Sequence, residues 1–150
     1  MPSADSDELV TALLAAADAL LRESQRLFRP HGLTAAQFNV LNILAERPDG
    51  LSQRELSDLL VVDRSNVTGL LDRLEKTGWV RRTDHPSDRR VYQVLLTADG
   101  RRLWAEVAPR YEAAVRQVTT GLTERRVRES IALLRALEEN AAKWSEKEAS

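Results

Sequence analysis

The sequence predicts a mainly helical fold with one small β-hairpin, that is, an α+β fold dominated by helices. Three observations lead to this prediction. Apolar residues recur at helical spacing along most of the chain, and two helix starts show a serine or threonine three residues before a glutamate or glutamine. In addition, two short segments of strand-forming residues flank a single turn sequence near Pro86.

The composition is that of an ordinary globular protein, with 43% apolar and 30% charged residues in a chain of 150. This length suffices for one domain with a real core. Charged residues interrupt every apolar segment before it could span a membrane, and the acidic start of the chain does not resemble a secretory signal. The chain has no cysteine, which excludes disulfides, thiolate metal sites and thiol redox sensing. We therefore expect a cytoplasmic protein without membrane contact, cofactor or metal.

Two capping boxes locate the starts of helices ahead of the hairpin. Thr34 and Gln37 open one helix, and Ser52 and Glu55 open a short helix from about Gln53 to Leu60. In each box the hydroxyl and the side chain three residues later bind backbone donors reciprocally. The short helix is followed by a tight turn into a further helix.

This further helix runs from Arg64 to Thr77, between an N-cap at Asp63 and a left-handed Gly78. Its core face follows the i, i+3, i+4, i+7 rule and consists of Val67, Leu70, Leu71 and Leu74. Its opposite face is small and polar, with Arg64, Ser65, Asn66, Thr68, Gly69 and Arg73. An ordinary amphipathic helix would explain the apolar face, whereas the polar face favours close approach to another polar surface.

A basic β-hairpin is predicted after this helix. Val80–Asp84 and Val91–Leu96 are the expected strands, and His85–Asp88 is the expected turn. From Trp79 to Tyr92 four arginines stand against two aspartates, although the whole chain carries a net charge of −1. These arginines are Arg81, Arg82, Arg89 and Arg90.

Helix, turn, helix and a basic two-stranded wing together form an arrangement that binds DNA. We expect residues 33–100 to form this winged helix-turn-helix within a single domain, 1–150. Its second helix would enter the major groove, and wing arginines would reach the neighbouring minor groove.

One spaced pattern carries a family resemblance. Asp88-x-Arg90, five residues, Leu96-Thr97, two residues and Gly100 resembles the signature of the MarR family of bacterial winged helix-turn-helix regulators. The segment from Asp63 to Gly78 is similar to the recognition-helix region of that family. The resemblance implies a dimeric transcription factor, most often a repressor, that releases DNA or changes its affinity for DNA when a small effector binds.

The residues of this arrangement have distinct expected roles. Asparagine and arginine can contact adenine and guanine bidentately, and a glycine permits close approach. The expected major-groove residues are Ser65, Asn66, Thr68, Gly69 and Arg73. The expected contacts to the DNA backbone are Gln53, Arg54 and Arg64, although a solvated first turn would explain Arg54 equally well. By resemblance, the wing residue for the minor groove is Arg90, oriented by Asp88, with Arg89 as its substitute.

The resemblance also implies an effector cleft between the winged part and the dimer helices. Its expected lining residues are Phe28, His31, Phe38, Trp104 and Tyr111. Each of them could instead belong to the core or to a turn.

The two ends of the chain carry long apolar stripes that a winged domain alone cannot cover. We expect residues 7–30 and 101–145 to form dimerisation helices, with residues 1–6 disordered and 145–150 frayed. A two-fold dimer would place two recognition helices about 34 Å apart on a pseudo-palindromic operator. An intramolecular three-helix bundle is the alternative.

Other functional classes fit the sequence less well. An enzyme is not expected, because the two histidines lie far apart and no glycine-rich phosphate loop is present. A winged helix that binds protein rather than DNA would need an apolar recognition face. A metal-responsive regulator would have to build its site from two histidines without cysteine.

Overall fold

The computed structural model describes residues 1–60 and 64–148, and it describes side chains at residues 1–60 and 66–144. Over these residues the chain forms six α-helices, one short 3-10 helix and a three-stranded antiparallel sheet. The predicted α+β fold is therefore confirmed. The chain divides into two compact units, Met1–Tyr111 and Glu112–Ser150.

The first helix, α1, spans Ala4–Phe28 and begins earlier than predicted. Ser3 caps it, because its hydroxyl accepts a hydrogen bond from the backbone N–H of Ser6 at 3.2 Å. Two aspartates in the first turn add favourable charge at the positive end of the helix dipole. The prediction that residues 1–6 are disordered is therefore wrong from Ala4 onward.

Both predicted capping boxes are present. Thr34 precedes α2, which spans Ala35–Ala45, and Ser52 precedes α3, which spans Gln53–Leu59. The N–H groups of these two capping residues donate to the side chains three residues later at 3.0 and 2.8 Å. Local sequence thus sets where both helices begin.

The two-faced helix, α4, spans Arg64–Lys76. Gly78 follows it with a φ of 80°, as expected of a left-handed residue that ends a helix. The predicted N-cap, Asp63, lies outside the described residues. The predicted core face is confirmed, since no side chain on it is more than 7% exposed; these side chains are Val67, Leu70, Leu71 and Leu74.

The sheet has one strand more than the sequence predicts. It contains β1 (Leu51–Ser52), β2 (Val80–Asp84) and β3 (Tyr92–Leu96) in the order β1-β3-β2, with both pairs antiparallel. The hairpin of β2 and β3 is the predicted wing, and β3 starts one residue later than expected. The sequence does not predict β1, because two residues show no alternation. Pairing of Leu51 with Val94 connects the start of α3 to the wing.

The core of the first unit draws on most of its elements. Phe28 comes from α1, Val107 comes from the helix after the wing, and α2, α3, α4 and the sheet supply the centre. The fully buried residues of this centre are Val40, Leu41, Leu44, Leu56, Val67, Leu71, Leu74, Val80 and Val94. The recognition elements therefore stand on a single packed base.

The helix after the wing, α5, spans Ala98–Val118, and Thr97 fastens its start to the end of α4. The Thr97 hydroxyl accepts from the N–H of Gly100 at 3.0 Å and donates to the carbonyl of Gly78 at 2.6 Å. The Thr97 N–H donates to the carbonyl of Trp79 at 3.1 Å. The threonine and glycine of the spaced signature thus join the wing, α4 and α5.

Three helices each leave two or more apolar side chains exposed on the single chain, and in α5 these are Val115 and Val118. In α1 these side chains are Leu9, Val10, Leu14, Leu20 and Leu21. In the last helix, α6, which spans Glu124–Glu148, they are Ile131, Leu133, Leu134 and Trp144. Because α6 continues to Glu148, the prediction of a frayed tail is wrong up to that residue. Across the described ranges, no helix is long and apolar enough to cross a membrane.

Replacing Gly100 with alanine tests the junction at the start of α5. An added Cβ would overlap the carbonyl oxygen of Trp79 and would lie 2.9 Å from Cδ1 of Leu96. We expect Gly100→Ala to lower the free energy of unfolding by about 3 kcal/mol, as overpacking against backbone does. Urea unfolding at a fixed protein concentration measures this change. Arg101→Ala, in the same turn, should change it by less than about 0.5 kcal/mol; equal effects would contradict the assignment.

Candidate nucleic-acid interface

The outer face of α4 is polar and accessible where the structure describes its side chains. Asn66, Thr68 and Arg73 are exposed, and Gly69 is half-buried among them. The buried stripe of the helix fixes its rotation, so these residues point away from the core. Arg64 and Ser65 belong to the helix, but their side chains lie outside the described residues.

A contact between α3 and α4 organises this face. The side-chain amide of Gln53 donates to the hydroxyl oxygen of Thr68 at 3.0 Å. Since the hydroxyl oxygen accepts this bond, the hydroxyl group of Thr68 can still act as a donor. The sequence predicts that Gln53 contacts the DNA backbone, but it does not predict this contact, because the two residues are 15 positions apart across a turn.

Gly69 has no structural reason to be glycine within the described part of the chain. It lies in the middle of α4, where glycine is unfavourable. The nearest atom to a Cβ built there is a guanidinium nitrogen of Arg73, at 3.8 Å, which is ordinary contact distance. The absent side chain leaves a flat area at the centre of the polar face.

The wing carries an ordered arginine. Asp88 accepts hydrogen bonds from the backbone N–H of Arg90 at 3.0 Å and from its guanidinium at 3.1 and 3.2 Å. These bonds, those of the guanidinium first, hold the pKa of the Asp88 carboxyl below its usual value. The Arg90 side chain is 89% exposed, and Arg89 is exposed as well. The structure thus pairs Asp88 with Arg90 while leaving the guanidinium accessible.

Arg54 and Arg90 face the same groove between α3 and the wing. This groove has a volume of about 520 Å³. Its lining consists of Gln53, Arg54, Ser57, Arg90, Val91 and Tyr92. Two residues that the sequence assigned to different parts of the DNA are therefore brought to one surface.

Arg82 differs from the other wing arginines. It lies on the basic wing, but its guanidinium contacts the carboxylates of Asp72 and Glu75 on α4. Hydrogen bonds from the Arg82 side chain and backbone lower the pKa of Glu75, and the bonds to Glu75 and Asp72 raise the pKa of Arg82. The positive charge of Arg82, which the sequence counts toward the net charge of the hairpin, is therefore balanced by carboxylates of α4.

Three of the five expected effector residues meet at one groove. The rings of Phe28 and Phe38 stack with centroids 4.4 Å apart, and the ring of Tyr111 lies 5.1 Å from that of Phe38. The groove beside them has a volume of about 390 Å³. Its lining consists of Leu21, Ser24, Gln25, Phe28, Ala35, Ala36, Phe38, Asn39, Asn42 and Tyr111.

The other two expected effector residues do not line this groove. His31 is largely buried, with Nδ1 3.1 Å from a carboxylate oxygen of Glu106. The indole N–H of Trp104 donates to Asn42 at 3.0 Å. Trp104 therefore orients the side-chain amide of Asn42, which lines the groove. The sequence does not identify Asn39 and Asn42 as lining residues, although their spacing of three places them on one helix face.

Comparison with known sequences gives a consistent result. A model described as the MarR family matches residues 31–91. The homoprotocatechuate degradative operon repressor of Escherichia coli is 30% identical over 128 residues, which cover 85% of this chain and 86% of that protein.

Solved structures extend the similarity to nearly the whole chain. A MarR family transcriptional regulator from Streptomyces coelicolor, in complex with DNA, matches with a TM-score of 0.84 and 30% identity, over 93% of this chain and 89% of that chain. CouR from Rhodococcus jostii, bound to p-coumaroyl-CoA, matches with a TM-score of 0.79 and 30% identity, over 91% of this chain and 95% of that chain.

Gly69→Ala separates stability from surface recognition. The substitution meets no close atom in the chain and should raise helix stability by about 1 kcal/mol. If the flat centre of α4 approaches DNA closely, the same methyl group should weaken binding by about tenfold. Urea unfolding and fluorescence anisotropy with duplex DNA measure the two effects. Tighter binding that accompanies the gain in stability would contradict a close approach at this position.

Proposed function

Because this chain belongs to the MarR family of transcriptional regulators, we propose that it represses transcription by binding a pseudo-palindromic operator through α4 and the wing. It is a DNA-binding regulator and not an enzyme. The observation that supports this mode of binding is the polar face of α4 around Gly69, held outward by a buried stripe. Such a face suits the major groove, and it lacks the apolar surface that a protein-binding winged helix needs.

The proposed base contacts use the chemistry of the exposed groups. The amide of Asn66 suits adenine, the guanidinium of Arg73 suits guanine, and Thr68 can donate its hydroxyl proton to a base acceptor because Gln53 occupies the oxygen. Ser65 completes the major-groove set. Arg54 and Arg64 are proposed to bind phosphates. Gln53 is proposed to orient the hydroxyl of Thr68 and to contact the DNA backbone beside it.

The wing is proposed to bind the minor groove. Asp88 limits the rotation of the Arg90 guanidinium, so less conformational entropy is lost when that side chain enters a narrow groove. Arg89 stands beside it as an additional positive charge. Arg54 shares the groove between α3 and the wing with Arg90, which supports a contact with the phosphate backbone near the minor groove.

The regulator acts as a homodimer, as MarR proteins do. We propose that residues 7–30 and 101–145 supply the dimer contacts, because the exposed apolar side chains of α1 and α6 need a covering surface. Two copies of α4 would then lie about 34 Å apart, one turn of DNA. Since its partner is genomic DNA, we place the protein in the cytoplasm.

The groove beside Phe28, Phe38 and Tyr111 is the proposed effector site. The rings offer stacking surface, and Ser24, Gln25, Asn39 and Asn42 offer neutral hydrogen-bonding groups. Because the described lining of this groove carries no charged side chain, a buried carboxylate would have no cationic partner there. We therefore propose an uncharged aromatic effector with a hydroxyl, carbonyl or amide group.

Effector binding is proposed to act by population shift. The groove lies between α1 and α2, and α2 packs on the elements that carry the recognition face. The dimer is proposed to have a conformation that binds DNA and one that does not. An effector that binds the second conformation more tightly increases its population, and the affinity for DNA falls by the ratio of the two effector affinities at most.

The DNA-binding role is tested with the duplex that the wild-type protein selects from a random pool. Arg90→Ala should weaken binding to this duplex by about tenfold, because it removes a minor-groove contact and a positive charge. The variant should also lose its preference for a narrow minor groove. Arg102→Ala, which removes an exposed charge from α5, is the control and should change affinity by less than about twofold. Overlapping curves for Arg90→Ala and wild type would contradict the wing assignment.

The effector proposal is tested with a matched pair of probes, 4-hydroxybenzamide and 4-hydroxybenzoate. Calorimetry should show the amide binding at least about tenfold more tightly, since an unpaired carboxylate loses its hydration. Asn39→Ala should weaken amide binding by about fivefold, while Asn140→Ala on α6 should leave it unchanged. Equal or tighter binding of the carboxylate would contradict an uncharged ligand.

A further inference from the structure

Arg82 joins the two elements to which we assign DNA binding, α4 and the wing. It lies on β2, and its side chain is only 19% exposed. Its guanidinium contacts the carboxylate of Asp72 and, at 3.2 Å, one oxygen of Glu75. Its backbone N–H donates to the other oxygen of Glu75 at 2.9 Å. One wing residue thus makes three contacts with α4.

These contacts differ from an ordinary surface ion pair. Exposed pairs contribute little, because solvent screens them and long side chains lose entropy. Although the side chains of Asp72 and Glu75 are 56% and 41% exposed, that of Arg82 is only 19% exposed; its guanidinium contacts both carboxylates, and its backbone N–H donates to one of them. Such charge-assisted, multiply bonded contacts are directional, so they fix orientation as well as distance.

Because Arg82 lies on β2, its bonds to α4 can fix the orientation of the wing relative to that helix. Val80 and Arg82 are two residues apart and therefore share one face of the strand. Val80 lies in the same core cluster as the buried face of α4, but apolar contacts are not directional. The bonds from Arg82 to Asp72 and Glu75 add the direction that this packing lacks.

We propose that Arg82 is a positioning residue for DNA recognition, which sets the wing relative to α4 without touching DNA. The inference rests on the proposed function, since it requires that both elements bind the same duplex. A wing held in register lets Arg90 reach the minor groove while α4 occupies the major groove. Without the contacts of Arg82, the orientation of the wing relative to α4 would be fixed only when both elements bind DNA. The entropy lost in that ordering would lower the affinity for DNA.

A direct phosphate contact by Arg82 is the competing explanation, and Glu75 distinguishes the two. Glu75→Gln removes a negative charge near DNA, which by electrostatics alone should strengthen binding. If Glu75 serves to hold Arg82, the same substitution should weaken binding. The two explanations therefore predict effects of opposite sign for one nearly isosteric change.

The experiment measures anisotropy with the duplex selected by the wild-type protein, at four salt concentrations. The variants are Arg82→Met, Glu75→Gln and their combination, with Arg81→Met as the control. Arg81 lies on the same strand, is exposed, and has no ion pair among the residues that the structure describes. Near-ultraviolet circular dichroism and sedimentation show that each variant is a folded dimer, and Glu75→Gln, a mild change at the surface, keeps the test available if Arg82→Met does not fold.

We expect Arg82→Met and Glu75→Gln each to weaken binding by about tenfold, and the double variant to bind no more weakly than Arg82→Met. The slope of log affinity against log salt should stay at the wild-type value in both. Arg81→Met should change affinity by less than about threefold.

Three results would overturn the positioning role: unchanged or tighter binding by Glu75→Gln, additive losses in the double variant, or a salt slope reduced by about 0.9 in Arg82→Met, which marks a lost phosphate contact. Failure of the wild-type protein to select any duplex would instead overturn the proposed function itself.

Discussion

One buried stripe on α4 determines how the candidate DNA interface is oriented. Val67, Leu70, Leu71 and Leu74 are almost wholly removed from solvent, and each such side chain stabilises the fold by about 1.5–3 kcal/mol. Their burial fixes the rotation of the helix and turns its polar face outward. The contact from Gln53 and the ion pairs from Arg82 then refine a position that packing has already set.

Features determined by neighbouring residues could be predicted from the sequence. The capping boxes, the glycine after α4, the hairpin and the core face of α4 depend on interactions within a few residues. Three features could not be predicted, because their partners are remote in the sequence. β1 forms by pairing of Leu51 with Val94, the side chain of Gln53 bonds to Thr68, and the guanidinium of Arg82 contacts two carboxylates on α4.

The candidate sites show the same division. The polar residues of α4 and the pair Asp88 and Arg90 follow from type and spacing, and their roles on DNA stay predictions. For the effector groove, the aromatic residues Phe28, Phe38 and Tyr111 come together, whereas His31 and Trp104 bond to other residues. Periodicity identifies the face of a helix but not the neighbour that the face meets, so an aromatic residue alone could not be assigned to a cleft.

Two copies of the polar face of α4 are proposed to touch base edges. Dimethyl sulfate footprinting of the complex on the selected duplex measures these contacts, since this reagent reports guanine N7 in the major groove and adenine N3 in the minor groove. We expect two clusters of protected N7 atoms about 10 base pairs apart, each with protected N3 atoms in the neighbouring minor groove. Full reactivity of every guanine N7 in a saturated complex, or a single protected cluster, would contradict this proposal.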